Sequence, residues 1–176
     1  HPDDGRKMGL QGMINDLVKK SDFPIGNNFK NCINDLSLDK NVSRLISAAE
    51  NFPKLVEKDL ILLRELAKSS SAPVLGITGT GGAGKSSLVD ELLRRFLYNF
   101  EDKKIGIICV DPSKRKSGGA LLGDRIRMNS LNNSRVYMRS LATRQANLAL
   151  SAHVHDAISV LKASKFDLII LETSGI

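Results

Sequence analysis

The chain has 176 residues, of which 41% are hydrophobic and 26% are charged, and its formal net charge is +7. This composition fits one globular domain with a short appendage and excludes a chain that is disordered throughout. No apolar run approaches the roughly eighteen residues that a bilayer crossing needs, and the charged N-terminal residues do not form a signal peptide pattern. We therefore predict a cytoplasmic protein without membrane association. Its two cysteines indicate neither a disulfide framework nor a metal site.

The N-terminal residues predict an amphipathic helix. Its apolar stripe consists of Leu10, Met13, Ile14, Leu17 and Val18. One helix cannot cover its own stripe, so we interpret this segment as the tail of a domain whose body lies upstream. The alternative is that this helix packs on the domain that follows.

The next part of the chain predicts a linker with two helices. Residues 21–41 read as irregular, because proline, glycine and several asparagines interrupt any periodic pattern. Helical patterns follow over Val42–Asn51 and Pro53–Lys68, and Pro53 suits a first helical turn. The run SSSAP then ends the linker, which predicts a domain boundary near Ser70.

The sequence PVLGITGTGGAGKSS, residues 73–87, organises the rest of the chain. An apolar strand ends at Thr78, Gly79–Ser86 fits G-x-x-x-x-G-K-[ST], and a helix with apolar spacing runs to about Tyr98. Glycines let such a loop press its backbone N–H groups against phosphate oxygens. The motif thus has its required strand, loop and helix context, and the alternative is a glycine-rich turn without a ligand.

Strand and helix patterns alternate through the remaining residues. Three further strands are predicted over Ile105–Val110, Val136–Arg139 and Leu168–Leu171, with helices over Leu121–Met128 and Ala146–Leu161. This alternation predicts an α/β P-loop NTPase fold, in which a mainly parallel sheet is flanked by helices. Ligands of such folds bind at the carboxyl ends of the strands.

Several side chains near those strand ends could act on a nucleotide. Lys85 would contact the β and γ phosphates, and Ser86 would supply a hydroxyl to Mg²⁺. Asp111 and Glu172, each directly after a predicted strand, and Asp124 are candidate carboxylates for that ion. For all three carboxylates the alternative is a helix cap or a solvated charge.

The basic residues are concentrated between Lys114 and Arg144, downstream of the phosphate loop. A nucleoside triphosphate explains this excess as well as nucleic acid does. The basic region also lacks the interleaved aromatic side chains on which bases stack, so we predict no nucleic-acid partner. Arg127 lies three residues after Asp124 and could contact phosphate, unless it is an ordinary surface arginine.

Four segments together resemble a known family. TGTGGAGKSSL, VDPSKRKSGGALLGDRIRMN, MRSLATR and LIILETSGI resemble the G-protein chaperone domain of fused isobutyryl-CoA mutases, and more distantly the separate GTPases that serve methylmalonyl-CoA mutase. The N-terminal DGRKMGLQGMINDLV resembles the last helix of the cobalamin-binding domain in those fused enzymes. The resemblance implies a cobalamin-domain tail at residues 1–22, a helical linker at 23–70 and a truncated GTPase domain at 71–176.

The resemblance also implies roles for individual residues. Phosphate binding would fall to Gly82, Ala83, Gly84, Lys85, Ser86 and Ser87, with Arg127 touching nucleotide. Ser86, Asp111, Asp124 and Glu172 would surround Mg²⁺, while the Val110 carbonyl and Thr173 would help at a second metal position. ETSG, Glu172–Gly175, would sense the γ phosphate. The catalytic set would be Lys85, Asp111 and Glu172.

The implied activity is Mg²⁺-dependent GTP hydrolysis that controls adenosylcobalamin loading and protection in an acyl-CoA mutase, expected to be a homodimer at full length. The sequence contains no N-K-x-D segment, so guanine preference rests on the resemblance alone. It also lacks the cobalamin-binding histidine loop and the mutase barrel, so we expect no isomerase activity from this chain. Two other functions stay open: a P-loop kinase or ATP-dependent synthase acting on an acidic acceptor, and a non-enzymatic module that docks the mutase.

Overall fold

A computed structural model describes residues 2–22, 29, 31–112, 128, 131, 133–143 and 153–175. These residues divide into two compact units, His1–Lys30 and Asn31–Ile176. The first unit contains helix α1, Pro2–Ser21, with a break at Gly9, where φ is 63° and ψ is 174°. Along α1 the predicted stripe is largely exposed: 72% of Leu10, 68% of Leu17 and 59% of Val18.

The second unit begins with helices rather than with the sheet. A 3-10 turn at Cys32–Asn34 precedes α2, Asp39–Asn51, and a second 3-10 turn at Pro53–Leu55 precedes α3, Glu57–Lys68. The predicted helix Pro53–Lys68 is thus wrong in its first turn, because Val56 has φ −114° and ψ 18° and interrupts the helical geometry.

The remaining elements alternate between strands and helices. They are β1 Val74–Gly79, α4 Lys85–Asn99, β2 Ile105–Pro112, β3 Val136–Thr143, α5 Val154–Ala163 and β4 Leu168–Ser174. The strands form one sheet in the order β1-β4-β2-β3, and every pair is parallel. The predicted parallel α/β fold is therefore confirmed. The predicted helix Leu121–Met128 and the first part of the helix Ala146–Leu161 lie outside the described residues.

The two faces of the sheet are covered by different helices. Val89 and Leu93 of α4 pack in a core with Ile107 and Ile170. Side chains alternate along a strand, so Gly106 faces the opposite side. There an added Cβ would lie 2.8 Å from the Leu161 Cδ1 atom of α5. The absence of a side chain at this strand position thus lets α5 approach the sheet closely.

Helices α2 and α3 pack with the sheet unit through polar as well as apolar contacts. The Arg64 guanidinium of α3 donates to Asp156 Oδ1 of α5 at 2.6 and 2.9 Å. Arg139 of β3 donates to Ser47 Oγ of α2 at 2.9 Å. These contacts agree with a compact unit that contains α2 and α3 as well as the sheet, whereas the sequence predicted a boundary near Ser70. The assignment of segments to parent domains stays a prediction.

None of the helices in the described part of the chain combines the length and the apolar character that crossing a bilayer requires.

Candidate nucleotide-binding site

The loop between β1 and α4 has the backbone shape that its glycines allow. Gly82 and Gly84 have φ values of 79° and 83°, in the left-handed region where any side chain is strained. Gly84 directly precedes α4, and its carbonyl accepts the Leu88 N–H at 2.9 Å in the first helical turn. The N–H groups that open a helix have no helical acceptor, so this loop presents donors that suit an anion.

Lys85 places a positive charge at the start of the same loop. Its Nζ donates to the Gly79 carbonyl at 2.8 Å and to the Thr80 carbonyl at 3.0 Å. The ammonium has three donors, and these contacts are with backbone atoms that bear only partial charge. The cation is therefore held beside the loop while its full charge is available to an anionic ligand.

Glu172 is a buried carboxylate next to the loop, with 6% of its surface exposed. Oε1 accepts a hydrogen bond from Ser86 Oγ at 2.9 Å, and Oε2 accepts one from Cys109 Sγ at 3.6 Å. Both donors are neutral, and no cation of the described residues forms an ion pair with this carboxylate. A buried charge is normally balanced by a partner or a metal.

These groups fit Mg²⁺ in their chemistry. A hard ion of this kind takes carboxylate and hydroxyl oxygens together with phosphate. Because the Ser86 proton points to Glu172, the lone pairs of Ser86 Oγ remain available for a cation. The described residues contain no group of three or more His, Cys, Asp or Glu side chains arranged around one metal position. A complete site would thus need oxygens from a phosphate or from residues outside that description.

The strand order brings the predicted strand-end residues together. β4 lies between β1 and β2, so Glu172 pairs with Ile77 on one side and Cys109 on the other. One residue further along, Thr173 pairs with Val110. Alternation directs the Thr173 side chain to the face opposite Glu172.

All four strands extend beyond their predicted ends, with β1 ending at Gly79 and β3 at Thr143. β2 extends to Pro112 and β4 to Ser174, so Asp111 and Glu172 lie within strands rather than directly after them. The backbone of Asp111 pairs with Ala142 of β3. The side chain of Asp111 and the whole of Asp124 and Arg127 lie outside the described residues, and their predicted roles stay predictions.

Gly175 joins the end of β4 to the beginning of the loop. Its N–H donates to the Gly79 carbonyl at 2.6 Å, and an added Cβ would lie 2.7 Å from the Gly79 carbonyl carbon. Backbone at this distance cannot move aside as a flexible side chain can. Glycine is therefore required here by a close approach between two backbones.

Cys109 is the site contact that the sequence did not indicate. An apolar run predicts it as a core residue, and it is indeed buried, with 2% exposed. Its contact with Glu172 depends on β2 and β4 being neighbours, although the two strands are far apart in the sequence. No local pattern could have indicated this pairing.

A comparison with solved structures finds a protein with a similar fold. The chain superposes on a LAO/AO transport system kinase with a TM-score of 0.57 and 19% identity, over 85% of this chain and 44% of that protein. Because the sequence identity is only 19%, this similarity shows a shared fold and nothing about function. It agrees with the parallel sheet and flanking helices described above.

Sequence comparisons find longer relatives. A fused isobutyryl-CoA mutase of Geobacillus kaustophilus is 52% identical over 99% of this chain, and that of Cupriavidus metallidurans is 49% identical over 99%. The chain spans only 17% and 16% of these relatives. A Pyrococcus horikoshii protein described as a candidate GTPase is 40% identical over 77% of this chain and 42% of its own length.

The family model for the methylmalonyl-CoA mutase-associated GTPase MeaB matches residues 42–176. The match contains all of α2 except its first three residues, together with α3, the phosphate loop and the whole described sheet, which is most of the chain. Together with the loop geometry, it establishes that this chain belongs to the MeaB family of mutase-associated GTPases.

Proposed function

We propose that the chain binds GTP with Mg²⁺ and hydrolyses its γ phosphate, as the G-protein chaperone region of an adenosylcobalamin-dependent acyl-CoA mutase. The observation that carries this proposal is the hydrogen bond between Ser86 and the buried Glu172, directly beside a phosphate loop whose lysine points to the loop. Family membership supports the GTPase activity, and the names of the fused relatives support the mutase context.

In this proposal each residue of the loop has a separate task. The N–H groups of Gly82–Ser87 hold phosphate oxygens, and Lys85 exchanges its carbonyl partners for the β and γ phosphates. Glu172 keeps the Ser86 proton directed away from the phosphates, which orients the hydroxyl oxygen. When bound, Mg²⁺ would neutralise charge that develops on the transferred phosphoryl group. Ser86 and Glu172 would hold it, with Asp111 and Asp124 as further predicted ligands, while the Val110 carbonyl and Thr173 would help at a second metal position.

Catalysis would then depend on positioning and charge neutralisation rather than on a covalent intermediate. The partner would be an acyl-CoA mutase domain, with isobutyryl-CoA or butyryl-CoA as the substrate class, in the same or an adjoining chain. Nucleotide turnover would control the loading and protection of adenosylcobalamin there. These statements about the parent protein rest on relatives of which the chain spans about one sixth.

Titration calorimetry tests the nucleotide site. We expect the chain to bind a non-hydrolysable GTP analogue in a Mg²⁺-dependent manner, more tightly than the ATP counterpart. Lys85→Ala should abolish tight binding because the cation beside the phosphates is lost. Lys68→Ala is the matched control, since among the described residues that lysine forms an ion pair only with exposed Glu65 on α3. Unchanged affinity in Lys85→Ala would refute the assignment, and a preference for ATP would favour a kinase.

A further inference from the structure

The second oxygen of Glu172 has a partner that the proposed function does not use. Cys109 Sγ donates to Glu172 Oε2 at 3.6 Å, and the two residues pair directly in the parallel ladder of β2 and β4. Their side chains therefore stand next to each other on the face that α4 covers. Both are buried, with 2% of Cys109 and 6% of Glu172 exposed.

We propose that Cys109 is a positioning residue for Glu172, and through it for Ser86, in cation and nucleotide binding. The terminal torsion of a glutamate side chain is broad, so one hydrogen bond leaves the carboxylate plane poorly fixed. A donor on each oxygen fixes that plane: the thiol holds Oε2, and Oε1 then faces Ser86. This inference rests on the proposed function for what the aligned group binds.

The chemistry of a thiol suits this position. A lysine or arginine at Cys109 would neutralise the carboxylate and remove its attraction for a cation. A thiol is small, tolerates an apolar core and donates weakly without a positive charge. It can therefore orient the carboxylate while leaving its negative charge to the ligand.

The rival interpretation is that Cys109 only fills the core beside Ile107 and Ile170. Two substitutions separate the interpretations. Cys109→Val keeps an apolar side chain of similar size but has no donor, whereas Cys109→Ser keeps a donor and introduces a polar group. If Cys109 only fills the core, Cys109→Val should retain nucleotide binding better than Cys109→Ser. If Cys109 positions Glu172, Cys109→Ser should retain it better than Cys109→Val.

Infrared spectroscopy tests the contact without nucleotide. In a Cys32→Ala background, which leaves Cys109 as the one thiol, the S–H stretching band should move to higher frequency after Glu172→Gln. The reason is that a neutral amide accepts a weaker hydrogen bond than a carboxylate. An unmoved band, in a protein whose circular dichroism is native, would overturn the proposal.

A second experiment tests the effect of this contact on nucleotide binding. It measures the Mg²⁺ concentration that gives half-maximal binding of the GTP analogue. We expect it to rise about tenfold in Cys109→Val, as expected for the loss of a hydrogen bond to a charged group, and to stay near wild type in Cys109→Ser. Cys32→Val is the matched control at the other buried cysteine and should change nothing. A larger rise of this Mg²⁺ concentration in Cys109→Ser than in Cys109→Val would overturn the proposal. If the wild-type chain binds no nucleotide, the proposed function fails and the infrared shift alone decides the role of Cys109.

Discussion

Gly175 has no room for a side chain. Its α carbon faces the backbone of Gly79 and Thr80, at distances where an added Cβ would have contacts of 2.7 to 3.1 Å. The Gly175 N–H to Gly79 carbonyl bond holds the two segments together at that separation. A methyl group could be accommodated only by moving the loop or the end of β4.

We expect Gly175→Ala to lower the free energy of unfolding by about 1–3 kcal/mol, a typical cost of overpacking. It should also weaken nucleotide binding because the displaced backbone carries the first residues of the phosphate loop. Urea denaturation and calorimetry measure the two effects. Gly76→Ala is the control, since no atom of the described residues lies within 4 Å of the added Cβ, and its stability should change by less than about 1 kcal/mol. Equal stability of the two variants would contradict the close approach.

At the scale of elements, α3 and α5 are joined by an ion pair. Arg64 Nε and Nη2 both donate to Asp156 Oδ1, and the Asp156 side chain is 12% exposed whereas that of Arg64 is 53% exposed. Removing the arginine would leave a nearly buried carboxylate without its cation. Solvent that reaches the exposed arginine limits the cost.

Arg64→Ala should therefore destabilise the protein by about 1–2 kcal/mol, measured by urea denaturation. Lys68→Ala, four residues further along α3, breaks a pair in which both side chains are exposed and should have almost no effect. If both variants lost the same amount of unfolding free energy, the α3–α5 contact would depend on helix propensity rather than on this ion pair.

Helix α4 carries a pH-sensitive group on its exposed surface. Hydrogen bonds from Arg94 and then Arg95 lower the pKa of Glu91 from 4.5 to about 2. A carboxyl group whose pKa is lower in the folded state adds stability above pH 4.5, and this contribution is lost as pH falls from 4.5 to 2. Exposure to solvent and salt keeps the contribution small.

Glu91→Gln should lower the melting temperature slightly at neutral pH, and the difference from wild type should disappear as pH falls toward 2. Thermal unfolding followed by circular dichroism across this range measures it. High salt at neutral pH should also reduce the difference, because the pairs are exposed. A difference that stays constant from neutral pH to pH 2 would exclude Glu91 titration as its cause.

The sequence predicted the existence of the strands and helices more accurately than the residues at which they end. The apolar runs at 105–110 and 168–171 identified β2 and β4, but β4 continues through polar residues to Ser174. Those residues pair with β1 through the backbone, which needs no apolar side chain. Periodicity therefore cannot indicate such an end.

For the site, the sequence likewise predicted the residues of the motif but not the contacts between residues from distant segments. Lys85 and Ser86 follow from a pattern, and Glu172 from its position at the end of an apolar run. The Cys109–Glu172 and Arg64–Asp156 contacts depend on strand order and helix packing, which bring residues from distant segments together. Strand order is not encoded in the spacing of neighbouring residues.

At the scale of the whole molecule, the chain contains two compact units, and the first has an apolar helical stripe with exposed side chains. The second unit has its own core on both faces of the sheet. We expect that removing residues 1–30 leaves its melting temperature within a few degrees of the original and reduces self-association at high concentration.

Calorimetry and sedimentation equilibrium test this prediction. A retained fold with less association would agree with an N-terminal segment that belongs to another domain. A much lower melting temperature would instead favour the alternative that α1 packs on the nucleotide domain. A truncation that ends at Gly9 leaves Leu17 and Val18 in place, and it should preserve more of the association than removal of all thirty residues.

The strand order also determines when β1 and the phosphate loop can find their partner strand during synthesis. β1 is made first among the strands, yet in the described sheet its hydrogen-bond partner is β4, with Val74 opposite Ile169. β2 and β3 can pair earlier, because fewer residues separate them. A ribosome must therefore synthesise β4 before the phosphate loop meets Glu172 and Gly175. A nascent chain that stalls earlier would carry the complete loop motif without the strand that supports it.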